Sequence, residues 1–85
     1  MEYYIVTYEV KENGDTFNRE VLVCGNNKKV AEKKLFYFFR NFFGFETRQL
    51  NSIEFTSNSK RLKIIGTEET TQRIYELLRG IVYEV

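Results

Sequence analysis

Side chains able to carry out chemistry are few in this chain. There is no histidine, so the commonest general base and zinc ligand are missing, and the single cysteine, Cys24, cannot assemble a thiolate metal site. The five glycines are isolated, so no glycine-rich phosphate loop is expected. Glu68 and Glu69 are adjacent, and adjacent residues of a helix do not face the same way. We therefore expect a non-enzymatic protein with no metal and no cofactor.

The residues that could bind a partner are concentrated between positions 27 and 45. The stretch 35–45 reads Leu-Phe-Tyr-Phe-Phe-Arg-Asn-Phe-Phe-Gly-Phe. We predict a helix over 27–43, with Asn26 as its N-cap and Gly44 as its stop. At about 100° per residue, one face collects an apolar stripe for the core, formed by Val30, Ala31, Leu35, Phe38, Phe39 and Phe42.

The opposite face of this helix carries the basic residues Lys29, Lys33 and Arg40. Aromatic side chains border that basic stripe at three further positions, which are Phe36, Tyr37 and Phe43. One interpretation is that a curled sheet or a returning loop covers these rings. The other is that they form an exposed contact surface, because burying an aromatic ring is worth about 1.5–3 kcal/mol and a small domain gains from covering it.

Two functions are compatible with such a surface. The first is protein interaction, either self-association as a homo-oligomer or docking on a larger protein, with the three rings as anchors and the three cations as a rim. The alternative is nucleic-acid binding by the same helix or by the outer sheet face near Arg61 and Lys63. A sequence pI of about 7.8 favours the first, since nucleic-acid domains usually show a larger basic excess.

Composition limits the remaining possibilities. Eighty-five residues with 42% hydrophobic content predict one small domain over 1–85. Residues 1–25 carry two basic and five acidic side chains, a net charge of −3, whereas residues 26–43 carry five basic and one acidic, a net charge of +4. No apolar run is long enough to span a membrane, no basic region precedes the first apolar segment, and a lone cysteine fits a reducing compartment. The expected location is the cytoplasm.

Hairpin signals define the elements that hold this helix. Alternation over 2–10 predicts a strand, and Asn13-Gly14 predicts a type I′ turn that places Glu12 opposite Asp15. In that register one face collects the apolar side chains Tyr4, Val6, Tyr8, Val10, Phe17, Val21 and Val23. A second hairpin is predicted from Leu50–Ser57 and Lys60–Ile65 around Asn58-Ser59, with Phe55 opposite Leu62 and Ile53 opposite Ile64.

A second helix is predicted to follow Gly66, with Thr67 as its N-cap and Glu68 and Glu69 in its first turn. Its buried stripe would comprise Ile74, Leu77 and Leu78, continued by Ile81. Residues 81–85 form a fifth strand in one interpretation and a continuing helix in the other. The predicted fold class is α+β, a two-layer sandwich in which an antiparallel sheet of four or five strands carries two helices on one face, in the order ββαββα(β).

Overall fold

The computed structural model of the chain describes all of residues 1–85 as an α+β fold with six strands and two helices. We number the elements in chain order. They are β1 (Glu2–Glu12), β2 (Asp15–Gly25), α1 (Lys28–Phe43), β3 (Arg48–Gln49), β4 (Glu54–Ser57), β5 (Lys60–Thr70), α2 (Gln72–Leu78) and β6 (Tyr83–Glu84).

The long hairpin of β1 and β2 forms in the predicted register. Asn13 and Gly14 both have positive φ angles, 51° and 83°, as a type I′ turn requires. Glu12 pairs with Asp15, and the ladder continues without interruption to Glu2 and Gly25. The prediction from turn type and alternation is therefore confirmed for this hairpin.

All six strands form one sheet, in the order β3-β4-β5-β1-β2-β6. Four of the pairings are antiparallel, but β6 runs parallel to β2, with Val21 beside Tyr83. The predicted antiparallel sheet of four or five strands is thus wrong in strand count and in strand direction. The strand predicted over 81–85 exists but covers only Tyr83 and Glu84.

Helix α1 packs on the face of the sheet that carries Tyr4, Val6 and Tyr8. Its N-cap is Asn27 rather than Asn26, because the Asn27 side chain accepts a hydrogen bond from the Val30 N–H at 3.0 Å. The helix ends before Gly44, whose φ of 131° most residues adopt only with strain. The core between helix and sheet is closed by Ala31, Leu35, Phe39, Phe55, Leu62 and the inward side chains of β1 and β2.

The second half of the chain departs further from the prediction. The strand expected from Leu50 begins only at Glu54, because the Asn51 carboxamide oxygen accepts hydrogen bonds from the Ile53 and Glu54 N–H groups and turns the chain. Residues 48–49, for which no strand was predicted, pair with β4 as β3. The turn at Asn58 and the pairing of Phe55 with Leu62 are as predicted.

Strand β5 continues through the segment predicted to open the second helix. Thr67 pairs with Val6 and Glu68 with Ile5, after a bulge opposite Thr7 and Tyr8. The N-cap of α2 is Thr71, whose hydroxyl accepts from the Ile74 N–H at 3.3 Å. Local capping signals at Thr67 were overridden because β1 is long enough to keep a partner strand paired as far as Thr70.

Helix α2 lies on the opposite face of the sheet from α1, which corrects the prediction of two helices on one face. Its only buried side chain is Tyr75, which packs on Tyr3 with ring centroids 5.0 Å apart. Side chains alternate along β1, so Tyr3 faces away from α1. The predicted buried stripe is wrong as well, since Leu77 is 70% exposed and Ile81 83% exposed.

Candidate interaction surface on helix α1

Five of the six predicted site residues lie together on the solvent side of α1. They line one shallow depression of about 500 Å³, which we call the basic-aromatic surface and define as Lys29, Lys33, Phe36, Tyr37 and Arg40. The rings of Phe36 and Tyr37 meet edge to face at 6.0 Å. None of the three cations forms a salt bridge, so their charge is directed at solvent.

Phe36 and Phe43 are less exposed than a pair of free anchors would be. Both are half-buried and pack against the core. The Phe36 ring lies 6.0 Å from Phe55, and the Phe43 ring lies 6.4 Å from Tyr8. Phe43 does not belong to the basic-aromatic surface, because it faces the hairpin end of the sheet. Tyr37 is therefore the predicted ring most open to a partner.

A second group of rings is open to solvent around Tyr37, and three of its members, Phe17, Phe38 and Phe42, were predicted to lie on the core face. We call it the open aromatic surface and define it as Phe17, Tyr37, Phe38, Phe42 and Tyr83. Phe42 is 65% exposed, Tyr83 63%, Tyr37 57% and Phe17 39%. Half-buried Phe38 links them, with its ring 5.5 Å from Phe42 and 5.4 Å from Tyr83.

The exposure of Phe17 has a geometric cause. A helix of 16 residues is about 24 Å long, whereas strands of 11 residues extend about 36 Å. The hairpin therefore projects beyond α1, and Phe17 on its inward face has no helix above it. From the sequence, Phe17 could have been predicted to be exposed only by comparing the length of the helix with the length of the hairpin strands.

Cations lie over several of the exposed or half-buried rings. The Arg19 guanidinium sits 5.1 Å from the Phe17 centroid, and Arg40 sits 5.4 Å from Phe45. Lys60 approaches Phe43 at 5.8 Å. Arginine and aromatic side chains are enriched at the centres of protein interfaces, and the two surfaces on α1 together present both.

A separate cleft of about 160 Å³ lies between the first half of α1 and the sheet. Tyr4, Val6 and Leu35 contribute to its mostly apolar wall, and Lys28 and Glu32 stand at its mouth. The Tyr4 hydroxyl donates a hydrogen bond to the Glu2 carboxylate at 2.6 Å, which raises the pKa of Tyr4 to about 12. That hydroxyl is therefore a neutral donor at physiological pH.

No group of three or more histidine, cysteine, aspartate or glutamate side chains comes together in the structure. Cys24 is half-buried at the end of β2, close to Tyr75. Neither helix is both long enough and apolar enough to cross a membrane.

Comparison with known proteins gives no family assignment. The chain matches no protein-family model, no curated protein and no solved structure. The two surfaces on α1 are therefore the features that point to a function.

Proposed function

We propose that this protein is a non-enzymatic protein-interaction module that contacts its partner through α1. The observation that carries the proposal is the open aromatic surface, in which four rings are more than one-third exposed. Phe42 and Tyr83 contact Phe38, and Tyr37 and Phe17 line the depressions on either side of them. Burying one such ring contributes about 1.5–3 kcal/mol, and a ring left in water does not gain this free energy. A partner that covers them recovers that free energy, and contiguous apolar patches of this kind mark interaction sites.

The basic-aromatic surface extends the same contact region around the helix. Tyr37 belongs to both surfaces, so one partner could cover Phe42 and still reach Lys33 and Arg40. Unpaired cations at the edge of an apolar contact favour a partner with acidic groups at the matching positions and increase the association rate.

Nucleic-acid binding is the second candidate, and one observation favours it. Lys29, Lys33 and Arg40 form an unpaired row beside the rings of Phe36 and Tyr37, and single strands bind by combining cations with stacked bases. Three cations are few for this purpose, and the acidic first hairpin would repel phosphates.

Site-specific photo-crosslinking in the native cell tests the proposal. A benzophenone amino acid is placed at Tyr37, at Phe42 and, as a control, at Lys63, which is exposed on the sheet face away from α1. We expect protein adducts from positions 37 and 42 and none from position 63. Adducts that are removed by nuclease would support the alternative. Equal labelling from all three positions, or none from positions 37 and 42, would contradict an interaction through α1.

A further inference from the structure

Strand β2 has an open edge next to the open aromatic surface. On one side β2 is paired with β1 along its whole length, but on the other side β6 pairs only with Val21 and Leu22. Residues 15–20 are all exposed and have no neighbouring strand on that side. Every second residue of this six-residue stretch thus presents unpaired backbone groups to solvent, which is the arrangement that accepts another strand.

The hydrogen-bonding groups on this open edge can be identified. The Val85 N–H donates to the Leu22 carbonyl at 2.8 Å, so Leu22 directs its backbone groups away from β1. In an antiparallel ladder this direction alternates residue by residue. Thr16, Asn18 and Glu20 therefore also direct their N–H and C=O groups outwards, and Asp15, Phe17 and Arg19 direct theirs towards β1.

We propose that the occupant of this edge is a second copy of the same chain, paired antiparallel through β2 with the two-fold axis at Phe17. The inference rests on the proposed function, since this second copy would cover the Phe17 end of the open aromatic surface. In this register Thr16 and the partner's Asn18 exchange two backbone hydrogen bonds, and Asn18 does the same with the partner's Thr16. Both residues direct their backbone groups outwards, as such a pair requires.

Side-chain chemistry makes this register self-complementary. Phe17 lies directly opposite the partner's Phe17, and Asp15 lies opposite the partner's Arg19. The two-fold axis generates a second copy of this pair of opposite charges. Aromatic pairs and pairs of opposite charge both stabilise a sheet when they lie opposite one another on neighbouring strands. All of these side chains alternate onto the face that carries α1, where the open aromatic surface borders them. The added strand therefore shields Phe17 and narrows the exposed area next to Phe42.

Strand β5 has an open stretch of similar length, and its charges disfavour the same arrangement there. Strand β5 is paired with β4 only as far as Lys63, so residues 65–70 are free on that side. An antiparallel pairing of this segment with itself, centred on Glu68 or on Glu69, would place that glutamate directly opposite its own copy. Like charges directly opposite destabilise a pair of strands, and inward charges on an edge prevent association.

The proposed dimer can be tested by exchanging the charges of Asp15 and Arg19 and measuring the dissociation constant of each purified variant by sedimentation equilibrium. We expect a reversible dimer whose dissociation constant rises about tenfold in Asp15→Arg and in Arg19→Asp, because each places like charges opposite one another twice. The double variant Asp15→Arg/Arg19→Asp restores opposite charges and should recover the wild-type value. These side chains are exposed, so the exchange leaves the monomer's core unchanged.

A proline pair tests the backbone contribution separately. Asn18→Pro removes an outward N–H from β2, and Thr67→Pro removes one from the open edge of β5, so both should leave the intramolecular ladders intact. We expect monomers from Asn18→Pro and dimers from Thr67→Pro, with circular dichroism confirming that both are folded.

A wild-type chain that stays monomeric, a double variant that is no tighter than the single variants, or equal effects of the two prolines would overturn the inference. A different result would contradict the proposed function, namely the absence of protein adducts from positions 37 and 42 in the photo-crosslinking experiment. Adducts with an unrelated protein, together with a monomeric chain in sedimentation, would retain the proposed function and reject the second copy as partner.

Discussion

Phe39 and Phe42 are three residues apart on the same helix but have opposite roles. Phe39 is fully buried, with its ring 5.0 Å from Tyr8 and 5.0 Å from Phe55. Phe42 projects into solvent at the end of the helix. We expect Phe39→Ala to lower the free energy of unfolding by about 3–5 kcal/mol, because it leaves a cavity in the core. Phe42→Ala, the matched control, should cost less than about 1 kcal/mol. Urea denaturation measures both, and similar losses would contradict the assignment.

Tyr75 attaches α2 to the sheet through a polar contact as well as through its ring. Its hydroxyl donates a hydrogen bond to the Glu84 carboxylate at 2.6 Å. Burial and this hydrogen bond raise the pKa of Tyr75, whereas the hydrogen bond from Tyr75 and the nearby Arg79 lower the pKa of Glu84. Since the Glu84 pKa is lower in the folded chain, its stabilising effect is complete above the ordinary value of 4.5 and is lost as pH falls through the folded value.

We therefore expect Tyr75→Phe to lower the free energy of unfolding by about 1 kcal/mol at pH 7, through loss of one hydrogen bond to a charged group. The difference from wild type should shrink as pH falls from 4.5 through the lower folded pKa of Glu84, where the carboxylate becomes protonated. Tyr83→Phe is the control, since that hydroxyl is exposed and forms no side-chain hydrogen bond. A pH-independent difference for Tyr75→Phe would show that the hydrogen bond to Glu84 is not the cause.

Helix α1 approaches the end of β2 closely at Gly25. A β-carbon at this position would lie 2.9 Å from the Ala31 nitrogen and 3.0 Å from a Val30 methyl carbon, whereas one at Gly66 would meet nothing within 4 Å. We expect Gly25→Ala to cost about 1–3 kcal/mol by forcing the helix away from the strand. Gly66→Ala should be neutral or slightly stabilising. Thermal unfolding of both variants measures the difference, and a tolerated Gly25→Ala would mean that the start of α1 can move.

The sequence predicts each element to the extent that local signals and tertiary context agree. Asn13-Gly14 fixed both the turn and the register of the first hairpin, because positive φ at two positions leaves few alternatives. Thr67 with Glu68 and Glu69 gave an equally regular helix-start signal, yet the segment is strand. Its residues Thr67, Glu68 and Glu69 pair with Val6, Ile5 and Tyr4, which lie 61 to 65 positions earlier in the chain, and no local pattern reports that pairing.

At the scale of the whole molecule, the site was predictable in composition but only partly in position. The basic residues and Tyr37 lie where the helical period placed them. Phe42 and Phe38 were assigned to the core by the same period, but the helix is rotated so that Phe39 and Phe36 face Phe55 instead. Tyr83 joins the open aromatic surface only because β6 adds to β2 in parallel, and a two-residue strand has too little pattern to predict its partner.

The proposed dimer has a consequence for the stability of the molecule as a whole. If two folded copies bind each other and unfolded chains do not, the melting temperature depends on concentration. We expect it to rise by about 3–6 °C for each tenfold increase in protein concentration. Asn18→Pro should melt at a temperature that does not change with concentration, as measured by scanning calorimetry. A concentration-independent melting temperature in the wild type would argue against dimerisation.

The attachment of residues 71–85 depends on little more than one buried tyrosine and a two-residue strand. Segments held by so few buried groups open at a lower free energy than the rest of a fold. When this segment detaches, the carbonyl of Leu22 loses its partner, and the unpaired stretch 15–20 of β2 is extended by Val21 and Leu22. Backbone amides of β6 and of α2 should then exchange with deuterium well before those at the centre of β1. Residues 71–85 thus cover one end of the open edge of β2, and local unfolding of this segment uncovers it.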